Sequence, residues 1–124
     1  MTYVVVALGG ALGALGRWGV AEALPSSPGG WPWATLLVNL SGCLLIGVLL
    51  AVVLGRHPTS PWLRPFLATG VLGGYTTYST FAVDVVRLVD DGAVAVAAAY
   101  LLASVLGGVL AVVAGLVLGR TVAA

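Results

Sequence analysis

Four long apolar stretches, separated by short polar turns, organise the chain: Tyr3 to Leu24, Trp33 to Leu54, Pro65 to Val89 and Ala93 to Leu118. Each reaches the roughly 20 residues that a helix needs to cross the hydrocarbon core of a bilayer. The turns between them are Pro25-Ser-Ser-Pro-Gly-Gly-Trp-Pro32, the polar run Arg56 to Arg64, and Asp90-Asp91-Gly92. Inside lipid every backbone amide and carbonyl must find a partner within the protein, which leaves helices as the economical solution. The pattern predicts an all-α membrane protein: one domain over residues 1–124, with four transmembrane helices at about 3–24, 33–54, 65–89 and 93–118. Glycines four residues apart recur at Gly9/Gly13, Gly70/Gly74 and Gly115/Gly119, the spacing that lets helix backbones approach closely. Trp31 and Trp33 suit a membrane–water interface.

One span departs from this plan. Gly73-Gly74-Tyr75-Thr76-Thr77-Tyr78-Ser79-Thr80-Phe81 combines a glycine pair with three threonines, a serine and two tyrosines, a poor lipid-facing helix. Residue 76 is midway between Trp62 and Asp90, so the polar stretch falls near the bilayer midplane. About eight residues on either side would form two half-helices of roughly 12 Å. Irregular backbone at that depth persists only where protein or a water-filled cavity surrounds it. Broken helices of this kind commonly build ion sites. The third span is therefore expected to be broken, rather than a continuous helix whose hydroxyls bond back to its own carbonyls.

Composition then narrows the class. The chain is 60% hydrophobic and 7% charged, with mean hydropathy +1.14, against the roughly 25% charged residues of a soluble domain. A net charge of +1 offers no basic footprint for nucleic acid. A single cysteine, Cys43, permits neither an intrachain disulfide nor a cysteine metal cluster. The opening Met-Thr-Tyr-Val-Val-Val lacks the positive segment of a signal peptide, so the first span is expected to be retained. With four spans, Arg56, Arg64 and Arg120 share one side, and Arg17 and Arg87 the other. That balance gives almost no orientation bias. A chain of this kind is free to insert both ways, which permits an antiparallel homodimer, and four short helices hardly enclose a pathway alone.

Polar residues elsewhere align with the expected break. Thr35, Asn39 and Cys43 recur at i, i+4, i+8 and share one face of the second span; Tyr100, Ser104 and Gly108 do the same on the fourth. Two stripes of uncharged donors beside a broken helix suit a track for a small solute. A membrane Asn is equally at home bonding between helices. No carboxylate sits at the midplane, and Asp84 lies about 6 Å along the helix from Thr80, paired by spacing with Arg87. A proton-coupled pump usually needs an acidic relay. Aromatic rings carry positive edges, so Tyr78 and Phe81 can face an anion without a fixed cation. Passive anion movement is favoured. His57 has no nucleophile or metal-ligand partner at useful spacing, and nothing indicates an enzyme.

The string Gly73-Gly-Tyr-Thr-Thr-Tyr-Ser-Thr-Phe81, with Gly9-Gly-Ala-Leu-Gly-Ala-Leu-Gly-Arg17-Trp and Thr35-Leu-Leu-Val-Asn39-Leu-Ser-Gly42, closely resembles the Fluc (CrcB) fluoride-channel family. The likeness extends over essentially the whole chain. It implies a dual-topology antiparallel dimer in the inner (plasma) membrane that exports fluoride passively through two pores. Thr35, Asn39, Thr77, Tyr78, Ser79, Phe81, Tyr100 and Ser104 would line the pore, with Tyr78 and Phe81 bracketing fluoride edge-on. Arg17 would stand at a vestibule. A structural sodium ion on the dimer axis would be held by main-chain carbonyls of Gly73 and Thr76. Tyr78 stands where relatives usually have phenylalanine, and Gly108 where many have serine. Some members pair two gene products, so the partner would be a second copy or a paralogous subunit.

Two other classes compete. A small four-helix proton-coupled multidrug exporter would want a glutamate inside the first span, whereas Glu22 lies near its end. A non-transporting scaffold subunit would have apolar spans without a polar centre, and the 73–81 stretch argues against it.

Overall fold

The computed structural model describes residues 2–55 and 65–123. The predicted polar run Arg56–Arg64, with His57, lies outside the described residues. Helix α1 spans Thr2–Ala23 and α2 spans Trp33–Gly55. A π-helical segment, Pro65–Leu72, passes into one α-turn at Gly73–Tyr75; together they are α3. Helix α4 runs Tyr78–Asp90 and α5 runs Val94–Ala123. Three of these helices are long and apolar enough to cross a membrane: Tyr3–Ala23, Trp33–Val52 and Val94–Val122. The third hydrophobic stretch, Pro65 to Val89, is interrupted at Thr76–Thr77, as its composition predicted. At 30 residues, α5 is about 45 Å long and continues beyond the expected end at Leu118. The π-helical winding of Pro65–Leu72 has no counterpart in the apolar pattern, which reads the same for either helix type.

The helices pair as α1 with α3 and α2 with α5, and glycines make both contacts. A Cβ on Gly13 would collide with the Val71 carbonyl oxygen, and one on Gly74 with the Gly10 carbonyl. Across the other pair, a Cβ on Gly47 would meet the Val112 carbonyl and one on Gly115 the Leu44 carbonyl. Backbones at that separation gain dispersion over their whole length, the main attraction available between helices in lipid. The predicted pairs Gly9/Gly13 and Gly70/Gly74 thus face each other, while Gly115/Gly119 packs against Gly47 and Ala51.

The turns on one side of the molecule are tied together. Gly92 takes positive φ (79°), and the Ala93 and Gly92 amides donate back to Leu88 and Val89 carbonyls, closing α4. Asp91 accepts the Gly29 amide at 3.1 Å, joining this turn to the 25–32 turn. Beneath them Leu36, Leu88, Ala97 and Tyr100 form a small buried cluster. Most other large apolar side chains of α1 and α5 are exposed, as lipid-facing surfaces require.

Gly13→Val is expected to cost about 1–3 kcal/mol or more through overpacking, seen as a lower thermal unfolding midpoint of the detergent-solubilised protein. Gly19→Ala, with nothing within 4 Å of the added Cβ, is expected to leave that midpoint unchanged or raise it slightly.

Candidate functional site: the break between α3 and α4

The break is two extended residues held by one side chain. Thr76 (φ −78°, ψ 154°) and Thr77 (φ −148°, ψ 125°) both leave helical geometry. The Thr76 amide and hydroxyl each donate to the Leu72 carbonyl at 2.9 Å, which ends α3. In a continuing helix the Thr77 amide would reach the Gly73 carbonyl. It donates instead to Asn39 Oδ1 at 2.9 Å, while Asn39 Nδ2 donates to the Thr77 carbonyl at 2.9 Å. The side-chain amide engages Thr77 as a neighbouring β-strand would, exchanging both bonds.

Hydroxyls then restart the helix. Thr77 Oγ1 accepts the Thr80 amide at 3.1 Å, an N-cap for α4. The same oxygen lies 3.2 Å from Ser79 Oγ and donates to Thr80 Oγ1 at 3.2 Å. On the other flank Tyr75 OH and Ser41 Oγ share a hydrogen bond of 3.0 Å. A Cβ on Gly42 would strike Thr76 Cγ2, so α2 passes directly against the extended pair.

Aromatic rings lead away from the break. Tyr78 and Phe81 have centroids 6.1 Å apart, and Phe81 and Tyr100 are 5.3 Å apart. Trp31 meets Tyr100 edge-on at 5.8 Å and 83°. Tyr100 is wholly buried, and its hydroxyl donates to Asp84 Oδ2 at 3.3 Å. The expected Asp84–Arg87 pair is not made among the described residues. The carboxylate turns across to Tyr100 on α5, while Arg87 stays exposed.

Two recesses meet at Thr77. One, of about 340 Å³, is lined by Asn39, Cys43, Thr76, Thr77, Tyr78, Phe81 and Ser104 among others. The other, of about 210 Å³, is lined by Arg17, Trp18, Thr35, Thr77 and Thr80 among others. Thr35 and Thr77 are buried, whereas Tyr78, Ser79 and Gly73 are exposed. Ser104 Oγ is sealed from solvent and has no hydrogen-bond partner among the described residues. Among those residues no group of three or more His, Cys, Asp or Glu side chains is placed to hold a metal.

The family described as CrcB-like protein, Camphor Resistance (CrcB), matches residues 4–116. The chain belongs to the CrcB family. CrcB relatives include the fluoride-specific ion channel FluC of Paracoccus denitrificans, 46% identical over 119 residues, which covers 96% of this chain and 94% of the relative. The FluC of Stutzerimonas stutzeri is 48% identical over 119 residues, 93% of this chain and 94% of that protein. FluC 2 of Streptomyces avermitilis is 49% identical over 100 residues, 81% of this chain but 63% of its own length. The resemblance drawn from the 73–81 string and Asn39 therefore holds across almost the whole chain.

Three features of this CrcB chain escaped the sequence pattern: the Asp84–Tyr100 bond, the Ser41–Tyr75 bond and the π-helical start of α3. An acid inside an apolar span does signal a buried partner, though not which one. Thr77 followed by Thr80 at the start of a helix is a recognisable cap pattern.

Asn39→Ala is expected to orphan the Thr77 amide and carbonyl, at about 1–3 kcal/mol for each group. Thermal unfolding should show a larger drop than for Ser41→Ala, which removes the side-chain bonds to Tyr75 and to the Val38 carbonyl but orphans no backbone amide.

Proposed function

We propose that this CrcB chain is a passive fluoride-selective channel that exports fluoride from the cytoplasm across the inner (plasma) membrane. The observation that carries the reading is the break at Thr76–Thr77: a site walled by hydroxyls, an amide and ring edges, in a chain whose relatives are named fluoride-specific channels. Fluoride is small and strongly hydrated, so a pore must replace its water with donors. Thr77, Ser79, Ser104 and Thr35 supply hydroxyls, Tyr100 lines the path with its own hydroxyl held by Asp84, and Asn39 sets the backbone that presents them. Phe81 and Tyr78 offer positive ring edges, and the amide end of α4 adds a favourable partial charge. Arg17 beside Thr35 and Thr80 draws anions toward the break.

The working unit is an antiparallel dual-topology dimer of two copies with two pores. Tyr78 is 81% exposed in the single chain, and Ser79 and Thr80 are exposed beside it. Polar groups midway along a membrane helix need protein cover, and a second copy provides it. The balanced arginines permit either orientation. Main-chain carbonyls of Gly73 and Thr76 fit a sodium ion on the dimer axis. The Gly73 carbonyl has lost its helical donor to Asn39, and carbonyl oxygens at broken helices suit such a cation. Bound there, sodium would supply a fixed positive charge close to the anion path.

Proteoliposomes containing this chain alone and loaded with fluoride are expected to release it without a proton gradient. Absence of release from well-folded protein would contradict both channel function and self-sufficiency. Phe81→Ile keeps most of the bulk and loses the ring edge, and is expected to reduce efflux by up to about tenfold, the scale of an aromatic-edge contribution of about 0.5–1.5 kcal/mol.

A further inference from the structure

Two side-chain polar atoms are sealed from solvent without a hydrogen-bond partner among the described residues: Ser104 Oγ and Trp31 Nε1. They bracket Tyr100. Ser104 lies one turn further along α5, and the Trp31 ring meets Tyr100 edge-on. An unpaired buried N–H is costly and rare, and demands an explanation. The Tyr100 hydroxyl is already donated to Asp84 and is not free for an anion. That carboxylate also repels any anion passing Tyr100, so an anion at this level needs donors that are not already committed. The indole N–H of Trp31 is such a donor. Trp31 moreover closes a run of ring contacts, Tyr78–Phe81–Tyr100–Trp31, that leads from the break toward the 25–32 turn.

We propose that Trp31 is a further anion-coordinating residue, its indole N–H binding fluoride on the turn-side flank of Tyr100. This rests on the fluoride-channel reading and extends its track by one station. Fluoride leaving Phe81 exchanges donors along Ser104, then Trp31, before reaching the water at the turn. The Trp31 ring packs against the Leu36, Leu88, Ala97 and Tyr100 cluster, so its N–H is screened from water and acts as a stronger donor toward an anion.

The test is fluoride efflux from liposomes holding wild type, Trp31→Phe or Trp31→His. Trp31→Phe keeps an aromatic ring and removes the donor, and efflux is expected to fall by about tenfold, the scale of a hydrogen bond to a charged group. Trp31→His returns a ring N–H and is expected to recover part of the loss. A Phe variant as active as wild type overturns the inference while leaving the channel reading intact, as does a His variant worse than Phe. A wild type that carries no fluoride overturns both. In folded wild-type protein the Trp31 indole ¹H–¹⁵N resonance, assigned by its absence from Trp31→Phe, should move on adding sodium fluoride and stay fixed in sodium chloride. An unmoved resonance means that fluoride does not reach the N–H, and overturns the proposal.

Discussion

Everything at the centre of this protein depends on the pair of hydrogen bonds between Asn39 and the backbone of Thr77. A helix interrupted in lipid exposes amides and carbonyls that cost several kcal/mol each when unpaired. Asn39 satisfies one of each at 2.9 Å, which makes two extended residues affordable between α3 and α4. The side chain does for the break what a neighbouring strand does for a sheet edge. With that pairing in place, the Thr77 hydroxyl is free to cap α4 and gather Ser79 and Thr80 around it.

The rest of the fold serves to bring α2 to the break. Glycine contacts fasten α1 to α3 and α2 to α5 as two tight pairs. Gly42 lets α2 pass against Thr76 without a Cβ in the way, and Asn39 lies one turn earlier on the same helix. Tyr100 on α5 then carries the polar face outward to Asp84. Packing by small residues and the clustering of uncharged polar groups at the break are therefore consequences of one arrangement rather than separate devices.

Much of this was legible in the sequence. Each apolar span has the length a bilayer crossing needs, and the observed helices match within a few residues except at the end of α5. The four-residue spacing of the glycines showed that their helices pack closely, though not against which partner. The break was visible because clustered hydroxyls after a glycine pair contradict a lipid-facing helix. What Asn39 does was only half visible: its place on one face with Thr35 and Cys43 shows that it points inward, not that both ends of its amide bind Thr77. Asp84 was assigned to Arg87 because spacing along one helix reports local neighbours alone. Its true partner, Tyr100, comes from another helix, and contacts of that kind need the tertiary structure. The π-helical winding from Pro65 to Leu72 lies in the same category.

The central claim is that this break, in a chain nearly free of charge, passes fluoride and discriminates against other ions. The most direct measurement is the reversal potential of current through the purified chain in a planar bilayer with opposed fluoride and chloride gradients at equal pH. A current that reverses at the fluoride equilibrium potential is the predicted result. Reversal at the chloride potential, or a bilayer that stays silent with folded protein incorporated, would contradict it.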